Sequence, residues 1–309
     1  VKRRAFVRAL AGAVALAPLG MSAGGSASQP VSRDQICGVR SAFRPIAAAV
    51  RPRGLSYQGT HILAYGALRD LASSFASSGR GSMEVAGGGC DDGIAGVRRG
   101  TADLGGLCCP VSGSAAEGLP WLLVARDLKA VVAHTSNPIS DIGMEELKAL
   151  ARGRIRNWRE LGWDDRPIAQ VVRRHCPEYA EPVRRLLLEN LGDWSAQSLF
   201  VDTDEQIVDL VSRFPSSIGV VSWVFARPMA ERGRLRVLAV DGRRPDAQPH
   251  RYPITGPLSL VFRAWDPDTM AGFFDFLYSP EGRAIISRRL LAVSAAEAGY
   301  RGSGTIRRS

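Results

Sequence analysis

From Gly54 onward the chain repeats one pattern: a short apolar run, a glycine-rich or polar loop, then apolar residues at helical spacing. In GLSYQGTHILAYGALRDLASSFASS, Leu63, Leu68, Leu71, Ala72 and Phe75 fall on one helical face after a turn at Gly59 and Thr60. Thr60 is a candidate N-cap there. SMEVAGGGCDDGIAGVRRGTADLGG repeats the pattern, with a strand expected over 83–86, a helix over 92–99 and a strand over 102–104. LKAVVAHTSNP reads as a buried strand that stops at Asn137-Pro138. ISDIGMEELKALARGRIRNWREL reads as a helix starting at Ser140 or Asp141 ahead of Glu145. IAQVVRRHCPEYAEPVRRLLLENLG is strand, loop and helix again. SIGVVSWVFA, LRVLAVDG and TGPLSLVFR read as strands, and MAGFFDFLYSPEGRAIISRRL as the closing helices. This alternation predicts an α/β architecture of mixed, mostly parallel sheets with flanking helices.

The same pattern sets loops between strands and helix starts at Thr60, at Cys90 and over 173–176. Helix starts carry unpaired N–H donors and partial positive charge, and ligands of such folds sit beyond the carboxyl ends of the strands. Three converging loops predict a small-solute site.

Composition changes the picture at the N-terminus. Residues 1–27 join a basic head to a weakly apolar stretch and a small-residue tail, the layout of an export signal, and Arg3-Arg4-x-Phe6 is similar to the twin-arginine pattern. A periplasmic, exported protein is expected, with a polar lead-in over 28–53 that holds a short helical candidate over 42–50. Loss of Lys2, Arg3, Arg4 and Arg8 takes the net charge from +10 to +6, which helps attract anions. The basic residues are scattered and not interleaved with aromatics, so no nucleic-acid partner is expected. No Gly-x-Ser-x-Gly elbow, His-Glu-x-x-His or P-loop occurs, and a binding protein rather than an enzyme is expected, with no cofactor.

The chain resembles the periplasmic phosphate-binding proteins of ABC transporters, a type II solute-binding family, over 54–300. The resemblance rests on motifs in a shared order. Gln58-Gly59-Thr60-His61 is similar to the family's first ligand loop, and the block Gly87 to Gly93, continuing through Gly100-Thr101-Ala102-Asp103 to Pro110, to its glycine block. Gly153-Arg154-Ile155-Arg156-Asn157-Trp158, Ser217-Ile218-Gly219 and Ser279-Pro280-Glu281-Gly282 follow in turn. The resemblance implies two lobes hinged around a cleft, one over 54–132 and 255–300, the other over 133–254, with a tail over 301–309. It also implies a monomeric receptor of a small inorganic solute.

The departures from the family concern sulfur. Cys90 stands where the resemblance puts a serine donor, Cys108 where it puts a carboxylate, and Arg173 is followed by Arg174-His175-Cys176-Pro177 where donors are usual. Soft thiolates favour soft acceptors, trivalent arsenic among them. The leading expectation is therefore arsenite, or another thiophilic ion such as a soft metal, held by Cys108, Cys90 and Cys176, with Cys109, Thr60, His61 and Arg173 as further ligand-binding candidates. The output would go to a membrane sensor histidine kinase or an ABC permease. Phosphate or another oxyanion is the alternative, and a thiol–disulfide or structural protein a second one. The five cysteines can also be read as disulfides, with Cys37–Cys109 a structural pair or Cys108–Cys109 a vicinal bond, or as inert buried thiols. Arg173 is an oxygen ligand or an ion-pair partner of Asp91 or Asp92.

Overall fold

The computed structural model describes residues 54–174, 182–189 and 193–302. The chain starts with β1 (Gly54–Thr60), α1 (His61–Leu63), a π turn at Ala64–Leu68 and α2 (Arg69–Ser77). β2 (Ser82–Gly88), α3 (Cys90–Arg99) and β3 (Leu104–Leu107) follow. α3 has acids Asp91 and Asp92 in its first turn and Arg98 and Arg99 in its last, which matches both ends of the helix dipole, and it stops at left-handed Gly100.

β4 (Trp121–Ala133) is the element that joins the two halves. Its first part pairs antiparallel with β10 (Thr255–Val261), and its last part with β8 (Ser217–Ser222). The first sheet runs β2-β1-β3-β10-β4, with β1 parallel to both β2 and β3. The second runs β4-β8-β6-β7, where β6 (Ala169–Arg173) is parallel to β7 (Leu199–Val201) and to β8. β5 (Asp141–Ile142) lies parallel to β9 (Arg236–Val240), and β9 runs antiparallel to β4.

Each half has its own core. The first gathers Leu55, Tyr57, Leu71, Leu104 and Phe262 with Phe273 and Phe274 of α8 (Gly272–Tyr278), and α9 (Pro280–Ile286), β11 (Leu291–Ala292) and α10 (Ala295–Ala298) close it. The second gathers Leu128 to Ala133 of β4 with Trp158, Val171, Leu187, Ile207 and Leu238. Flanking helices there are α4 (Met144–Ala151), α5 (Pro182–Leu188), α6 (Asp204–Arg213) and α7 (Trp223–Glu231). Trp158 is fully buried, and its indole N–H donates to the Ser216 carbonyl at 2.8 Å, so the ring is both packed and satisfied.

Several boundaries differ from the sequence expectation. The strand expected over 217–226 ends at Ser222, whose hydroxyl accepts from the Val224 N–H and starts α7. The helix expected from Ser140 or Asp141 begins at Met144, because Ile142 is buried and pairs with β9 first. The strand expected over 102–104 begins at Leu104, since Thr101 and Ala102 still bond back to the Gly96 carbonyl of α3. The helical candidate over 42–50 lies outside the described residues. Among the described residues no helix is long and apolar enough to cross a membrane.

Candidate functional site

Strand ends from both halves meet at one cleft. β1 ends at Thr60, whose hydroxyl oxygen accepts from the Ile62 N–H at 3.3 Å and caps α1. Tyr57 donates its hydroxyl to the Thr60 carbonyl at 2.9 Å and fixes that end from beneath. β2 ends at Gly88, and Gly89 leads into α3 with its N–H held by the Asp92 carboxylate at 3.0 Å. From the other half come Arg173, last in β6, and the start of α6, where the Thr203 hydroxyl accepts from the Gln206 N–H. Thr60, His61, Gly88 and Gly89 thus face Arg173 and residues 202–205. At the mouth His61 Nδ1 lies 3.9 Å from Glu205 Oε1.

Arg173 is bound on its own side of the cleft. Its guanidinium meets the Asp204 carboxylate at 2.7 Å and donates from Nε to the Asp202 carbonyl at 3.3 Å. Asp204 also accepts from the Ser222 N–H at 3.3 Å, and the Ser222 hydroxyl donates to Asp127 at 2.8 Å. Asp127 forms a buried ion pair with Lys129 at 2.8 Å. A polar chain therefore runs from the cleft to β4 at the place where it passes between the halves.

The sulfur atoms lie together. Cys90 opens α3, and Cys108 and Cys109 follow β3. All three are buried and in no disulfide, and their Sγ atoms lie within 4.8 Å of one another. Cys90 and Cys108 are 3.4 Å apart, and the Cys108 N–H points to the Cys90 sulfur at 3.3 Å. The contact with Cys108 pushes the Cys90 thiol above its ordinary value, and burial adds to this. Contacts with Cys108 and Cys90, and then burial, push Cys109 the same way. Burial works against the charge of Arg173, but Asp204 and then the thiols of Cys108, Cys90 and Cys109 outweigh it and hold the guanidinium above its ordinary value.

Of the expected site residues, Thr60, His61 and Arg173 line the cleft, while Cys90, Cys108 and Cys109 form a separate buried cluster at the start of α3 and the end of β3. Cys176 lies outside the described residues, as does Cys37. Two expectations are corrected. Cys109 is a free thiol beside Cys90 and Cys108, not half of a pair with Cys37 or of a vicinal bond to Cys108. Arg173 pairs with Asp204 and not with Asp91 or Asp92, because Asp92 is turned back to cap Gly89. Asp202, Asp204 and Glu205 were missed as cleft residues. Their signal is Thr203-x-x-Gln206 ahead of the apolar run Ile207, Val208 and Val211, a capping box that opens a helix at the end of a strand.

Two separately packed halves, joined through β4, with strand ends and helix starts meeting across a cleft, define the two-lobed binding-protein class. The chain belongs to the PBP superfamily: the PBP superfamily domain matches residues 60–281. It is 26% identical over 207 residues to the phosphate-binding protein PstS of Bacillus subtilis, covering 64% of this chain and 66% of that protein. It is 22% identical over 183 residues to PstS of Borreliella burgdorferi, covering 56% and 65%. Each match thus spans just under two thirds of the relative. A Clostridium perfringens substrate-binding protein solved with bound phosphate has the same fold, with a TM-score of 0.64 at 24% identity over 78% of this chain and all of that one.

Proposed function

We propose that this chain is an exported solute receptor whose two lobes hold a small inorganic solute beside Arg173 and present the closed form to a membrane partner. The observation that carries the reading is the convergence of Thr60, Gly88 and Gly89 from one lobe on Arg173 from the other. The relatives named for phosphate support an oxyanion, phosphate first, as the solute and an ABC permease as the partner. Arg173, its charge already matched by Asp204, supplies fixed N–H donors for such an anion, and the start of α3 adds further N–H groups. A carboxylate such as Asp204 or Glu205 suits the hydrogen that a protonated oxyanion retains.

Calorimetric titration of the full chain with phosphate is expected to show one site. Arg173→Lys keeps a charge facing Asp204 but loses the planar fork, and is expected to weaken that site about tenfold. A flat titration of the unmutated protein overturns the phosphate reading.

A second reading is favoured by one observation, the three buried thiols clustered at the start of α3 and the end of β3. In this reading the solute is arsenite, bound through sulfur, and the partner is a sensor histidine kinase. Reduced protein is then expected to bind arsenite, and Cys108→Ala to lose most of that binding. Arsenite binding that is unchanged in Cys108→Ala removes the sulfur site from consideration.

A further inference from the structure

We propose that Cys90, Cys108 and Cys109 form one three-sulfur seat for the hydroxide of a trivalent metalloid, supplied by the first lobe alone. This seat presupposes the thiophile reading of the cleft and goes beyond it by assigning the third sulfur and the lobe that binds first.

The geometry is that of a single centre. Sulfur atoms bonded at about 2.3 Å to one ion lie at most about 4.6 Å apart, and nearer 3.7 Å in a pyramid. Cys90 and Cys108 already stand 3.4 Å apart, and all three sulfurs fall within 4.8 Å. The widest separation exceeds that upper limit by no more than about 0.2 Å. All three cysteines belong to the core of the first lobe, so the seat is complete before the second lobe arrives.

Charge selects among thiophiles. A trivalent metalloid hydroxide such as As(OH)3 reacts with three thiols to give a trithiolate centre and three waters. Three As–O and three S–H bonds break, three As–S bonds and three water O–H bonds form, and nothing is oxidised or reduced. The seat is neutral before and after. Cuprous ion on three thiolates would leave two negative charges and zinc one, with three protons released in each case. Arg173 is poorly placed to offset these, because Asp204 at 2.7 Å already matches its charge. An uncompensated buried charge is costly, and the metalloid is the ligand that avoids it.

The seat also accounts for the closing of the cleft. A bound metalloid fixes the loops that carry Cys90 and Cys108 against the end of β1, which is the face that Arg173 and residues 202–205 meet. Binding to one lobe then precedes docking of the other.

The test is titration of the reduced full chain with sodium arsenite, with the sulfur count at arsenic read by X-ray absorption. Unmutated protein and Cys176→Ser are expected to show three sulfurs and equal affinity. Cys109→Ser is expected to show two sulfurs and one oxygen, with binding weakened at least about tenfold. A thermal melt by circular dichroism checks that Cys109→Ser is folded, and Cys109→Ala serves as the second variant. Three sulfurs and full affinity in a folded Cys109 variant, or a sulfur lost in Cys176→Ser, overturns the seat while the thiophile reading stands. No arsenite binding by the unmutated protein overturns both.

Discussion

Gly59→Ala is expected to destabilise the first lobe by about 3–5 kcal/mol, from backbone strain and overpacking together, and to abolish solute binding. Gly59 has φ +151°, a conformation that L side chains rarely adopt. A methyl group there would lie 2.3 Å from the Gly106 nitrogen and 2.6 Å from its Cα, and these are backbone atoms of the paired strand. The two strands would have to part at the register pair Gly59 and Gly106, one residue before Thr60 and two before Cys108. Gly233→Ala is the control. Its φ is +65° and nothing lies within 4 Å of the added carbon, so only the left-handed backbone penalty of about 1 kcal/mol applies. Urea midpoints measure both variants. Equal midpoints for Gly59→Ala and the unmutated protein would show that β1 and β3 are not held at this separation.

Lys129→Met should cost about 3–5 kcal/mol, the usual consequence of removing one partner of a buried ion pair. The side chains of Lys129 and Asp127 are 4% and 1% exposed. Burial holds the Asp127 carboxyl above its usual range, while Lys129 and the Ser222 hydroxyl pull it back. Without Lys129 the carboxyl rises further, and folding of the variant takes up a proton. Its stability therefore recovers as pH falls through that raised value and is lowest at neutral and alkaline pH. Adding Asp127→Asn removes the stranded charge and is expected to restore much of the loss at pH 8. Denaturant titrations at pH 5 and pH 8 test this. A cost below about 1 kcal/mol at both pH values would mean that water reaches the pair and screens it. Asp127, Ser222 and Asp204 lead to Arg173, so the same variant is expected to weaken solute binding even where it remains folded.

What the sequence determined by itself is local. Spacing of apolar residues predicts strand, loop and helix three times, and this places Thr60, Cys90 and Arg173 at strand ends, where a parallel α/β sheet binds its ligands. Type and order of elements follow from side-chain periodicity, which each segment carries on its own. Tertiary structure decided which side chains meet. Cys108 and Cys109 are neighbours in the chain, and on a strand they would point to opposite faces, which favours separate partners for them. β3 ends at Leu107, so the alternation lapses there and both sulfurs approach Cys90. Arg173 found Asp204 thirty-one residues away because parallel pairing of β6 with β7 brings the start of α6 beside the end of β6. Such contacts depend on strand order and register between distant segments, and no local period encodes them.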